Sequence, residues 1–176
     1  GGALSASASW DLSSQTLVAD TTGRGLALSV LAPDEAGGLD TRARLSNLSI
    51  DAHIEGSPTR PDGTASMDIG AAEVDGRHLG RLTARVDATE GVARITAGVP
   101  VHGASLDARL TMDAPWPFVG RVAAAKSDLA RLAQLAGWPD DEGEGVSGTI
   151  DATLGVSGTA RDPWGATATL ALTGLD

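Results

Sequence analysis

The residues of this chain best suited to chemistry are three histidines and a short acidic segment. His53, His78 and His102 lie about 25 residues apart and share no metal-ligand spacing, so each is expected to be a solvated or edge-strand residue. Residues 140–144 (Asp-Asp-Glu-Gly-Glu) could attract a cation, but they lack the alternating oxygen ligands and the closing glutamate of a calcium loop. We therefore expect no metal site.

Catalytic motifs are equally scarce. The sequence contains no nucleophile elbow, no Walker loop and no H-E-x-x-H helix, and Gly23 with Gly25 is an isolated pair. Cysteine is absent, which removes disulfides, thiolate metal ligands and cysteine nucleophiles. The sequence therefore predicts a protein that is not an enzyme, with no catalytic residues and no cofactor.

The charge of the chain excludes a further class of partner. Its 176 residues include 23 acidic and 13 basic residues, for a net charge of −10, and Lys126 is the single lysine. Because an acidic surface repels phosphodiester backbones, we expect no binding to nucleic acid. No stretch approaches the roughly 20 apolar residues that span a bilayer as a helix. We expect the sequence to be a piece of a longer chain.

A two-residue alternation of apolar and polar side chains dominates the sequence and predicts nine or ten strands. Half-polar strands with short connections are typical of an antiparallel sheet with one apolar and one wet face. We expect a turn at Gly23 and a β-bulge near Asn47. The larger residues assigned to the apolar face are Leu26, Leu28, Val30, Leu48, Ile50, Ile54, Leu82, Val86, Ile95, Leu106, Leu110, Ile150, Leu154, Leu170 and Leu172.

One strand-and-turn unit recurs about a hundred residues later. Residues 49–54 (Ser-Ile-Asp-Ala-His-Ile) reappear at 149–154 (Thr-Ile-Asp-Ala-Thr-Leu), and each copy is followed by a Gly- and Pro-containing turn, at 56–63 and 158–165. Such a recurrence indicates repetitive β structure in which each unit packs only with its neighbours. Function is then expected in a surface.

A single segment departs from this alternation. Ser127 and Asp128 offer N-cap chemistry, apolar residues follow at three- and four-residue spacing, and Gly137 supplies a stop, so we predict a helix of about three turns. The chain is divided accordingly into a repetitive β-sheet segment (1–114), a Pro/Gly-bounded short helix and acidic loop (115–144), and the start of the next β repeat (145–176).

The turn at residues 158–163 (Gly-Thr-Ala-Arg-Asp-Pro), preceded by Val-Ser-Gly-Thr at 146–149, resembles the repeat units of the TamB family of translocation and assembly module subunits and of the wider AsmA-like envelope proteins. Residues 76–82 look like the same family's turn into a strand. So does the predicted helix, placed before a Gly-rich strand. The likeness covers roughly residues 50–176.

The resemblance implies an all-β fold in which an elongated, curled antiparallel sheet forms an open trough with one short helix. It implies the periplasm of a diderm bacterium, with the full-length chain anchored in the inner membrane and reaching an Omp85-type outer-membrane protein. The implied role is to carry phospholipids between the membranes, to aid outer-membrane protein assembly, or both. The implied ligands are phospholipid acyl chains.

The composition of the apolar face fits a lipid lining. The chain has thirty alanines, one phenylalanine and no tyrosine, whereas closed cores usually contain bulky and aromatic residues. The alternative is a β-sandwich or β-solenoid, a binding or adhesion module whose apolar face is a closed core. An open sheet would also leave unpaired edges, so an edge-to-edge dimer is expected.

Overall fold

Ten strands form one antiparallel sheet in the computed structural model, which describes residues 1–33, 39–57, 59–74, 76–130 and 147–175. Each strand pairs with the next one along the chain, so β1 and β10 are the two edges and the sheet does not close. This confirms the predicted all-β, open antiparallel architecture. The strands are β1 (Ala3–Asp11), β2 (Thr16–Pro33), β3 (Leu39–Ser57), β4 (Arg60–Val74), β5 (Arg77–Thr89), β6 (Val92–Val99), β7 (Ala104–Thr111), β8 (Pro117–Asp128), β9 (Thr149–Thr159) and β10 (Asp162–Leu175).

The hairpin between β5 and β6 shows how short polar residues reverse the chain. Thr89 pairs with Val92, which leaves Glu90 and Gly91 as a two-residue loop with φ of 53° and 78°. Two positive φ angles define a type I′ turn, whose twist matches that of the flanking strands. The Glu90 backbone N–H donates to Asp62 Oδ1 at 2.7 Å, which holds this otherwise unfavourable glutamate in place.

The predicted turn at Gly23 is wrong, because Gly23 lies inside β2 and pairs with residues of both neighbouring strands. The chain reverses instead at residues 12–15. There the Asp11 carboxylate accepts hydrogen bonds from the Ser13 hydroxyl at 2.6 Å and the Ser13 N–H at 2.8 Å. These bonds, with weaker ones from Ser14, lower the pKa of Asp11 to about 2. An aspartate that binds the backbone two residues on is a turn signal in its own right.

The predicted bulge near Asn47 is confirmed. Asn47 has a φ of 53°, and the pairing of β3 with β2 shifts there, so that Leu45 and Leu48 reach the same face although they are three residues apart. Strand β8 has a similar irregularity at Lys126, which has a φ of 49° and donates its N–H to Asp151 Oδ1 at 2.7 Å. Each bulge shifts the apolar–polar alternation by one residue, so that apolar side chains before and after it point to the same face.

The segment 115–144 contributes a strand that the alternation did not predict. Strand β8 pairs with β7 and with β9, so the sheet runs through it. Residues 129 and 130 are helical, and Asp128 Oδ1 accepts the Ala130 N–H at 2.9 Å, the capping contact that the sequence predicts. The rest of the predicted helix and the acidic residues 140–144 lie outside the described residues.

The buried residues of the described sheet are few and lie mostly in one place. Leu48, Ile69 and Ala72 are 6%, 2% and 2% exposed, and they pack with half-buried leucines and an isoleucine of strands β2 to β5. At the opposite ends of these strands, Arg60 reaches across the β5–β6 turn to Asp113, with Nε–Oδ1 and Nη2–Oδ2 distances of 3.0 and 2.5 Å. This bridge links the start of β4 to the turn that follows β7.

Candidate functional site

The pairing of the strands aligns apolar side chains in rows that cross the whole sheet. In an antiparallel pair, residues directly opposite one another point to the same face. We call one of the rows that cross all ten strands the central row, and it contains no charged residue. Its members, in strand order, are Leu4, Gly23, Ile50, Met67, Ala84, Ala97, Leu106, Val122, Leu154 and Leu170.

Two more rows lie beside it, toward the 90–91 turn, and together these rows form what we call the apolar face. The middle row runs through Ala52, Ala65, Val86, Ile95 and Ala108, among others. The turn row contains Ala19, Ile54, Gly63, Ala88, Ala93, Leu110, Phe118 and Gly158. On the other side of the central row, the apolar face continues with Leu26, Leu48, Ile69 and Leu82 across β2 to β5, and with Ala124, Ala152 and Leu172 across β8 to β10.

The register places all fifteen of the residues predicted from alternation on this one face. Twelve are among the residues just given. The other three follow from alternation along a strand: Leu28 and Val30 alternate with Leu26 along β2, and Ile150 alternates with Ala152 along β9. The structure therefore brings together residues that lie up to 146 positions apart in the sequence, between Leu26 and Leu172.

Exposure along the apolar face is uneven. Leu48 is buried, and most of the middle of the face is half-buried, whereas Leu170 and Leu172 on β10 are 64% and 65% exposed. Leu28, Val30 and Ile54 are also exposed. Within the described residues no second layer covers the face, so its aliphatic side chains stay within reach of solvent or a ligand.

The opposite face of the sheet, which we call the polar face, carries the charged side chains, and many of these pair with one another. Arg85 donates to Asp87 at 2.6 to 3.1 Å, Arg81 donates to Asp68, and His53 Nδ1 lies 2.7 Å from Asp20 Oδ1. The hydrogen bond from Arg85 lowers the pKa of Asp87, and the bond to Asp20 raises the pKa of His53. The two faces therefore differ sharply: one is ionic and wet, the other aliphatic.

Comparisons with protein-family models, curated proteins and solved structures find no match to this chain. In the part of the chain that the structure describes, no helix is long and apolar enough to cross a membrane.

The three histidines lie apart, as their spacing predicts. His53 and His78 are exposed and face Asp20 and Glu73. His102 differs from the expected solvated residue: it follows β6 in a single 3-10 turn, and its two ring nitrogens are buried without a hydrogen-bond partner among the described residues. Over those same residues, no group of three potential metal ligands comes together.

Sequence reasoning missed several members of the apolar face. Leu4, Val122 and Val156 belong to it through the register, and Phe118 stands at its border next to Gly158. Phe118 and Val122 belong to β8, where apolar residues such as Val119 also occupy the polar face and blur the alternation. The signal that could have found them is the strict spacing of Phe118, Gly120, Val122 and Ala124 opposite the better-defined β7.

Proposed function

We propose that the apolar face of this sheet binds the acyl chains of phospholipids. The chain would act as a segment of a periplasm-spanning protein, anchored in the inner membrane of a diderm bacterium, that carries phospholipids toward the outer membrane, aids outer-membrane protein assembly, or both. The observation that carries the proposal is the uncovered run of aliphatic residues across ten strands. The resemblance of residues 50–176 to TamB repeats points the same way.

The dimensions of the face suit a lipid. Ten strands about 4.8 Å apart make a wall of about 48 Å along the direction in which the rows run. Each methylene that leaves water for such a surface contributes about 0.8 kcal/mol, and it needs no specific polar partner. A wall lined with alanine, valine and leucine therefore offers apolar contact along its whole length and holds the ligand at no single point.

The most direct functional test uses two neighbouring residues with opposite orientations. Leu106 lies in the central row, and Asp107 points to the polar face, where it pairs with Thr96 and Arg121. A photo-crosslinking amino acid placed at position 106 should capture phospholipid in cells, and the same probe at position 107 should not. Equal capture at both positions, or capture only at 107, would reject the apolar face as the lipid site.

A charge on the apolar face should interrupt lipid binding. Leu106 is half-buried in a face that no layer covers among the described residues, so the carboxylate of Leu106→Asp can hydrate without unfolding the sheet. We expect a folded variant by circular dichroism that no longer binds phospholipid. Asp107→Asn is the matched control and should bind as the unaltered chain does. Outright unfolding of Leu106→Asp would favour the closed-core adhesion module instead.

The two edge strands offer a second kind of contact. Among the described strands, β1 and β10 each pair on one side only, which leaves a row of backbone donors and acceptors open. We propose that these edges pair with β-strands of other segments, including an edge-to-edge dimer of this chain and, through the full-length protein, an Omp85-type partner. Light scattering at high protein concentration should detect the dimer, and a strictly monomeric species would contradict it.

A further inference from the structure

A cluster formed by Trp116 and Arg161 lies at the rim of the apolar face, where β8 begins and β9 ends. Trp116 immediately precedes β8, Arg161 lies in the β9–β10 turn, and Trp164 is the third residue of β10. Pro117 pairs with Thr159, so the two turns lie side by side. The Ala160 N–H donates to the Trp116 carbonyl oxygen at 3.0 Å and joins them.

Arg161 is held by an aromatic ring and has no carboxylate partner within the described residues. Its guanidinium carbon lies 5.2 Å from the centroid of the Trp116 ring, a cation–π arrangement. Asp162, the neighbouring carboxylate in the chain, accepts the Gly165 N–H at 3.1 Å. The donors of Arg161 are thus free for an anion, and guanidinium groups match phosphate oxygens in pairs.

Trp164 lies three residues beyond Arg161 along the chain, at the start of β10. Its side chain is 96% exposed, and Trp116 is 40% exposed. Tryptophan joins a large apolar ring to one N–H donor, a combination that suits the boundary between acyl chains and headgroups. On the sheet side, Phe118 follows two residues after Trp116 and covers Gly158, so the apolar face begins directly next to the cluster.

We propose that Arg161, held over the ring of Trp116, is the headgroup subsite of the apolar face. In this arrangement Arg161 binds the phosphate of a glycerophospholipid, the Trp116 indole contacts its glycerol region, and the acyl chains extend over Phe118 onto the rows of the sheet. The inference rests on the proposed lipid function and adds the chemical class of headgroup that the face accepts, namely a phosphodiester.

The test compares two amphiphiles with the same acyl chains, phosphatidylglycerol and diacylglycerol, in binding to the whole chain. Arg161→Gln should weaken phosphatidylglycerol about tenfold, the loss typical of a charged hydrogen bond, and leave diacylglycerol unchanged. Arg161→Lys, which keeps the charge but loses the flat stacking group, should fall between. Arg121→Gln is the control, because Arg121 lies on the polar face, where it binds Thr153 at 3.2 Å, and should change neither affinity.

The outcomes separate the subsite from the proposed function. If phosphatidylglycerol binds the unaltered chain and Arg161→Gln with equal affinity, the subsite is wrong and lipid binding by the apolar face stands. If neither amphiphile binds the unaltered chain, the proposed function fails and the subsite fails with it. A further experiment titrates the chain with inorganic phosphate alone. If phosphate binds tightly, if Arg161→Gln abolishes that binding and if lipid does not compete with it, the cluster is a site for free phosphate. That result would overturn the headgroup assignment.

Discussion

The buried cluster of β2 to β5 and the open end formed by β9 and β10 have the same alternation but opposite exposure. Ile69 is 2% exposed, whereas Leu170, in a row of the same face, is 64% exposed. Both side chains point to the apolar side of the sheet, so orientation alone does not decide burial. Ile69 packs in a cluster with half-buried residues of β2 to β5, whereas Leu170 lies on the edge strand β10, which pairs on one side only. One end of this sheet therefore contains the buried cluster, and the other presents an exposed apolar surface.

The largest expected effect is on stability. Ile69→Ala should destabilise the chain by about 2–5 kcal/mol, because it removes packed methylene groups and leaves a cavity. Leu170→Ala removes groups that already contact water and should cost less than about 1 kcal/mol. Urea unfolding of the two variants measures both losses. Equal losses would erase the distinction between a structural and an open region.

Ser127 tests whether the second bulge is also structural. Its side chain is 1% exposed, and its hydroxyl donates to the His102 carbonyl oxygen at 2.5 Å. Ser127→Ala should cost about 1–2 kcal/mol, since it removes a part-buried hydrogen bond and leaves the His102 carbonyl without this partner. Ser157, exposed on the polar face of β9, provides the matched Ser→Ala control and should cost almost nothing. A loss at Ser157 as large as that at Ser127 would contradict this account.

The β5–β6 hairpin lies between the two regions and should allow a gain in stability. Glu90 adopts a φ of 53° in a type I′ turn, where asparagine is favoured before glycine. Glu90→Asn should therefore raise the free energy of unfolding by about 0.5 kcal/mol. The hydrogen bond from its N–H to Asp62 is kept, because it involves only the backbone of residue 90. A destabilised variant would show that the glutamate side chain itself is needed.

The smallest expected effect concerns pH and the polar face. The hydrogen bond to Asp20 raises the pKa of His53 in the folded chain, so its stabilising contribution is present below the ordinary histidine pKa. That contribution is lost as the pH rises through the folded value. In an NMR titration, Asp20→Asn should lower the His53 pKa, and His78 serves as the internal reference. An unchanged His53 titration would show that the pair does not form.

Much of the fold could be predicted because alternation specifies which way a side chain points. The apolar face and the antiparallel sheet follow from the two-residue alternation of apolar and polar side chains, and the bulge at Asn47 follows from the point where that alternation is interrupted. Gly23 misled the prediction, because glycine marks a turn in one context and a tolerated strand position in another. Strand β8 was not predicted, because its two faces are similarly apolar around Val119 and Val122.

The exposure of individual side chains and the contacts between distant turns were harder to predict from the sequence. Alternation cannot show that Leu48 is buried and Leu172 is exposed, because that difference depends on the side chains that pack around each residue: Leu48 packs with residues of its neighbouring strands, whereas Leu172 lies on the edge strand β10. The stacking of Arg161 on Trp116 joins two turns that are 45 residues apart. No local signal marks such a contact, and it becomes visible only when the register of β8 with β9 is known.

The central claim is that the apolar face carries phospholipid, and native mass spectrometry of the purified chain tests it most directly. The chain, recovered from the envelope of a diderm host, should carry bound phospholipid that survives transfer to the gas phase and that Leu106→Asp removes. A chain that emerges free of lipid, and that takes up none when mixed with phosphatidylglycerol vesicles, would contradict the account.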